Sequence, residues 1–275
     1  MTDRPIAYTI ASPECRTIPE LAYQAELSAA LDALAELGYD GVEIQVRDAD
    51  AASSSGLLDE VTGRGLRIAA LATGPVATDD GLTLTSPDPT VRAEARHRVR
   101  AIVELAIDYA VPVTLGRTRG DLQPGAEDLQ RRWASEAIRE LADHAAAGGQ
   151  QLLVEPQSVG NFLLTVDETL RFLDAGETHR SNGIALVFDV WHAARCERSV
   201  EAAAAAAGTL LQHVQLADSD RGPLGRGEFD VASFLGFLDG LGYDGWLTLE
   251  HRQDPGSRDA AAASLSVLRA LRRTT

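Results

Sequence analysis

The chain has no lysine: all 25 of its basic residues are arginine. Without a lysine amine, Schiff-base aldolase chemistry and pyridoxal phosphate enzymes are excluded, and so is a Walker-type phosphate loop. Cysteine is almost as scarce. Cys15 and Cys196 lie far apart and form no CxxC, so the expectation is reduced thiols in a cytosolic protein. Positive charge is outweighed by 41 acidic residues, for a net charge of -16. A nucleic-acid partner is therefore not expected, because phosphate binding needs a basic face. No apolar run is long enough to span a membrane, and the opening MTDRPIAYTI has no apolar core of a secretion signal. A cytoplasmic protein with no membrane partner is the expectation. No apolar strand-like run is followed by GxGxxG, which disfavours a doubly wound dinucleotide-binding sheet.

What is present is a hydrophobic share of 45%, ample for a sizeable core, in a strict alternation of patterns. Short apolar runs that read as strands fall at 6–10, 41–46, 67–71, 111–115, 152–155, 185–189, 213–217 and 246–250. Helical spacing falls at 21–37, 57–61, 91–110, 129–146, 167–173, 200–211, 234–241 and 260–271. About eight strand–helix units without a Pro- or Ser-rich linker predict a single (β/α)₈ barrel domain over residues 1–275. The polar stretch 77–89 is long for a connector and reads as a lid or substrate loop.

The chemistry of such a barrel lies where its strands end. Here four strands in succession end in oxygen-bearing side chains: Glu155, Asp189, Gln215 and Glu250. One acid after a strand is readily explained as a helix cap. Four in register are better explained as a shared site. Three carboxylates and an amide oxygen suit Mn²⁺ or Mg²⁺, with Co²⁺ or Zn²⁺ compatible, and a cation lets the carboxylates coexist. His192 lies three residues after Asp189, placed to hydrogen-bond a substrate hydroxyl or carbonyl. Arg221, in the glycine-rich loop of HVQLADSDRGPLGRGEFD, can orient a carboxylate or hydroxyls of the substrate. Glu43, on the second strand, is expected to reach the substrate. His213, at the start of its strand, is expected to be structural.

LLVEP around Glu155, FDVWH around Asp189 and His192, the glycine loop, and LTLEH around Glu250 together resemble the xylose-isomerase-like TIM-barrel superfamily. Its members include ketose 3-epimerases, hydroxypyruvate isomerases, inosose dehydratases and endonuclease IV. GYDGVEIQVRDA, ATGPVATDDGLTLTSPD and LGRTRG resemble the keto-sugar-acid epimerase branch, such as 5-keto-gluconate epimerase. HVQLAD is closer to hydroxypyruvate isomerase, with Gln215 where a metal-binding His is usual. The resemblance implies one divalent metal on Glu155, Asp189, Gln215 and Glu250, with no organic cofactor. It implies that Glu155 and Glu250 move protons, and that His192 and Arg221 hold the substrate. After Glu155-Pro156 the family often has Asn, then Arg and an acid, whereas this chain has Gln157, Ser158, Val159 and Gly160. Glu228 stands where some epimerases have His.

The expected function is epimerisation or isomerisation of a small keto-sugar or keto-sugar acid through an enediolate. An inosose-type dehydratase on the same site and a non-catalytic sugar-binding barrel are the alternatives. A nuclease is disfavoured, because it needs a His-rich metal cluster and the chain has six His. A homo-oligomer, dimer or tetramer, is left open by the sequence.

Overall fold

Strongly apolar runs need burial on both faces, and parallel strands need long crossovers that helices can supply. The computed structural model, which describes residues 4–175 and 183–273, satisfies both needs. Eight parallel strands close into a barrel in sequence order. They are β1 Ile6–Ala11, β2 Gly41–Gln45, β3 Arg67–Ala72, β4 Val113–Leu115, β5 Leu152–Val154, β6 Ile184–Asp189, β7 Leu211–Leu216 and β8 Trp246–Leu249. β8 pairs with β1 through Ile6 opposite Leu247, which closes the ring.

The main crossover helices are α1 (Leu27–Leu37), α5 (Pro89–Tyr109), α6 (Glu127–Ala147), α7 (Val166–Ala175), α9 (Val200–Ala207), α10 (Val231–Gly240) and α11 (Ser257–Arg273). α5 starts as its sequence suggests: the Asp88 carboxylate accepts from Thr90 N at 2.8 Å, with Pro89 in the first turn. Four further helices are short: α2 (Ala49–Ser54), α3 (Leu57–Thr62), α4 (Gly74–Thr78) and α8 (Val190–Cys196). Of these only α3 is visible in the apolar periodicity. The others run 5 to 7 residues, too few to show a repeat.

Two expectations are corrected. α1 begins at Leu27 rather than at residue 21. The preceding stretch is held off helical geometry by Ala22 N donating to Pro19 O and Tyr23 N donating to Thr9 O, both at 2.9 Å. It serves instead as rim to the barrel mouth. The stretch 77–89 is not a free lid. It starts inside α4, and Leu84 N donates to Thr118 O while Gln130 Nε2 donates to Thr85 O. Arg16, Arg47 and Arg98, from three separate segments, all reach the Asp80 carboxylate, at 2.8, 3.0 and 3.4 Å.

The main core lies between the barrel wall and the helices. A small separate cluster, Leu153, Ala185 and Val187, points the other way, into the barrel. Side chains alternate along a strand. Two residues beyond Leu153 and Val187, the same inward side therefore carries Glu155 and Asp189. On β7 the inward positions are His213 and Gln215, and on β8 Thr248 leads to Glu250.

Candidate active site

The register brings the strand ends together. Asp189 is opposite Gln215, and Gln215 is opposite Thr248. A cavity of about 460 Å³ opens at this end of the barrel, lined by Glu155, Gln157, His192, Gln215, Arg221 and Glu250. Ile18, Pro19 and Leu21 from the segment before α1 form part of its rim.

Asp189 divides its work. Its Oδ1 caps α8, accepting from Trp191 N at 2.7 Å and His192 N at 3.3 Å. Its Oδ2 accepts from Arg221 Nη2 at 3.1 Å, and the same nitrogen donates to Glu250 Oε2 at 3.2 Å. Arg221 also lies over the Trp191 ring, 4.3 Å from its centroid. The loop that presents Arg221 is organised by Asp218, whose carboxylate accepts from the backbone of Ser219, Gly225, Arg226 and Phe229. A Cβ at Gly227 would stand 2.3 Å from Asp218 Oδ1, so this turn needs glycine there. Arg221 itself takes a left-handed φ of 61°, unusual for a residue with a side chain.

Glu155 is held by Gln157, which the sequence marks only as a departure from the family pattern, and through it by Arg119, which the sequence does not single out. Gln157 Nε2 donates to Glu155 Oε2 at 2.5 Å, and Gln157 Oε1 accepts from Arg119 Nη1 at 2.6 Å. Arg119 is only 2% exposed and also donates to Phe162 O and Gly116 O. LGRTRG, directly after β4, was the available signal, but its partners lie 38 and 43 residues away.

The electrostatics follow from burial. Desolvation, then repulsion from Glu250 and Asp189, pushes the Glu155 carboxyl well above the usual carboxylate range. Desolvation pushes Glu250 up to about 8, against the pull of Arg221. His192 is pushed down to about 4 by desolvation, with Arg221, Arg119 and Arg117 adding to the effect against Asp189. Its imidazole is therefore neutral at pH 7. Its Nδ1 accepts from Ser158 N at 3.1 Å, and its Nε2 lies 3.3 Å from Arg221 Nη1, a group that can only donate, so both ring nitrogens face donors.

Glu155, Asp189 and His192 bring ligand atoms within 4.8 Å of one another, a group able to hold a metal ion. His192 Nε2 lies 3.8 Å from Glu155 Oε1 and from Asp189 Oδ2, so it stands beside the oxygen donors as a further candidate ligand for a cation. The donor set fits one. Glu155 Oε1 and Gln215 Oε1 are buried oxygens with no hydrogen-bond partner, the condition a hard cation relieves.

Of the residues expected at the site, Glu155, Asp189, His192, Gln215, Arg221 and Glu250 are brought together. Glu43 is the exception. It is fully buried and does not line the cavity, because its β2 position places it one inward layer below the mouth. His213 is buried in that same layer, 2.8 Å from Glu43.

Comparison with known proteins agrees with this architecture. The family model described as "Xylose isomerase-like TIM barrel" matches residues 31–271. An L-ribulose 3-epimerase from Methylomonas sp. (strain DH-1) is 32% identical over 229 residues, covering 80% of this chain and 77% of that protein. A protein described as a putative hydroxypyruvate isomerase from Streptomyces coelicolor (strain ATCC BAA-471 / A3(2) / M145) is 28% identical over 189 residues, covering 65% and 67%. Among solved structures, an L-ribulose 3-epimerase superposes with a TM-score of 0.80 at 22% identity, covering 100% of this chain and 97% of its own. A D-allulose 3-epimerase from Methylomonas sp. in complex with D-allulose gives 0.77 at 22%, covering 98% of each chain. The chain belongs to the xylose isomerase-like TIM barrel family.

Proposed function

We propose that this chain, an enzyme of the isomerase class, epimerises a ketose at C3 with a divalent metal held by Glu155, Asp189, Gln215 and Glu250. The observation that carries the reading is the pair of carboxyls, buried Glu155 from the end of β5 and partly buried Glu250 from the end of β8, in one cavity. Both have raised proton affinity, set by the same desolvation. Such groups can take and return protons near neutral pH. The relatives named as L-ribulose 3-epimerases support the ketose substrate.

A divalent metal held by Glu155, Asp189, Gln215 and Glu250 would supply Lewis-acid polarisation of the ketose carbonyl, which would acidify the adjacent C3–H. One glutamate removes the C3 proton, and the electron pair moves into the substrate as an enediolate. The other glutamate delivers a proton to the opposite face of C3, inverting that centre. His192, beside Arg221 in the cavity wall, hydrogen-bonds a substrate oxygen. Arg221, tied to Asp189 and Glu250, orients the substrate hydroxyls and keeps the Glu250 carboxylate aimed into the cavity. The Arg119–Gln157 chain does the same for Glu155.

The test is incubation of Mn²⁺-loaded protein with a panel of ketoses in D₂O, followed by NMR. Deuterium at C3 and the appearance of the C3 epimer are expected. An aldose product labelled at its C2 would make the enzyme an aldose–ketose isomerase. An unsaturated product formed with loss of water would make it a dehydratase, and no exchange at any carbon would end the epimerase reading.

A further inference from the structure

We propose that Glu43 is a positioning residue that fixes the Gln215 amide with its oxygen towards the metal site. The proposal rests on the metal reading above and concerns how a neutral amide serves among carboxylate ligands.

Glu43 stands in the middle of β2, fully buried inside the barrel. A carboxylate there needs partners. Its Oε1 accepts from Gln215 Nε2 at 2.8 Å. Its Oε2 lies 2.8 Å from His213 Nε2 but makes no hydrogen bond, His213 Nε2 being paired with Thr248 Oγ1 at 2.8 Å. The Gln215 amide is thus the carboxylate's hydrogen-bond partner among the described residues. Gln215 and His213 are two residues apart on β7, so both face inward. Glu43 meets them from three strands away around the ring.

The two ends of an amide have nearly the same shape and opposite hydrogen-bonding character. Turned over, Gln215 would set its oxygen against the Glu43 carboxylate and its N–H₂ against the cation site. A buried carboxylate that can only accept excludes that orientation. The outcome is visible in the structure: Gln215 Nε2 is bonded to Glu43, and Gln215 Oε1 is buried without a hydrogen-bond partner. The Glu43 charge also polarises the amide and raises the electron density on Oε1, as a carboxylate does behind a metal-bound imidazole.

The experiment is a double-mutant cycle read as Mn²⁺ affinity by calorimetry, with thermal unfolding of each metal-free protein alongside. The four proteins are wild type, E43Q, Q215A and E43Q/Q215A. E43Q is expected to weaken Mn²⁺ binding by roughly 10–100-fold, the usual effect of removing a residue that orients a ligand. In the Q215A background the same substitution should leave the affinity unchanged. An equal loss in both backgrounds, or no loss in E43Q, overturns the positioning role while leaving the metal site intact. A wild type that binds no Mn²⁺ overturns both readings. A second measurement needs no change at Glu43. In metal-free wild type, a Gln215 side-chain ¹⁵N–¹H signal, assigned by its absence in Q215A, should show a proton protected from exchange with solvent. Fast exchange at both Nε2 protons overturns the proposal.

Discussion

At the scale of the residue, the two glutamates and Arg221 carry the most specific expectations. Glu155→Gln and Glu250→Gln should each lower kcat by at least about 10²-fold, the usual range for a general acid–base group. Each retains an oxygen ligand, so metal content should persist in part. On the proposed mechanism each glutamate serves one face of C3, so a single variant should still exchange the proton of one epimer with D₂O while failing to convert it. A double variant with wild-type turnover would end the acid–base assignment. Arg221→Lys keeps the charge but loses the planar fork that bridges Asp189 and Glu250 and stacks on Trp191. A loss of roughly 10- to 100-fold in kcat/KM is expected, in line with the removal of hydrogen bonds to charged groups, and unchanged kinetics would remove Arg221 from the site. The strand-end acids were legible because an acid closing an apolar run is a local pattern. The depth of Glu43 was not, since alternation tells which side a residue faces but not which layer it occupies. Arg119 and Gln157 were illegible for a different reason: their meaning lies in partners distant in sequence.

At the scale of the element, caps and turns decide what stands where. Asp88→Ala should cost about 1 kcal/mol of stability through the lost cap of α5, seen as a lowered midpoint in denaturant with little change in kinetics. Gly227→Ala is the opposite case. Its added Cβ meets the Asp218 carboxylate that gathers the loop, so kcat/KM should fall while helix content by circular dichroism is kept. Equal kinetics with the wild type would show that the loop tolerates displacement. The long helices were readable because their apolar stripes repeat over several turns. α2, α4 and α8 were hidden by brevity, and the start of α1 by hydrogen bonds to the end of β1 that no periodicity reports.

At the scale of the whole molecule, buried titratable groups set the pH dependence of stability. His251, bonded through Nε2 to Ser264 Oγ at 2.9 Å, is pushed down to about 4 by burial. Its folded pKa thus lies below the ordinary 6.5. Between those values the unfolded chain binds the extra proton, so its share of stability falls as pH falls from 6.5 towards 4. The ceiling on that loss is about 3 kcal/mol, and His251→Asn should lose correspondingly less than wild type over this window in urea unfolding. Glu250 works in the other direction. Its carboxyl is raised to about 8, so the folded chain binds the extra proton between the ordinary carboxylate value and 8. Metal-free protein should therefore gain stability as pH falls from 8.5 to 6.5. Mn²⁺ at a hundred times its Kd should add about 2.7 kcal/mol by mass action and, by favouring the ionised form, abolish that gain. A chelator should restore it.

The three arginines gathered on Asp80 tie together the segment after β1, the turn after β2 and helix α5. One carboxylate thus acts as a common knot for three stretches of chain far apart in sequence. Asp80→Asn should slacken all three together, read as faster amide hydrogen exchange in each of them. Faster exchange in one stretch alone would show that the ties are independent.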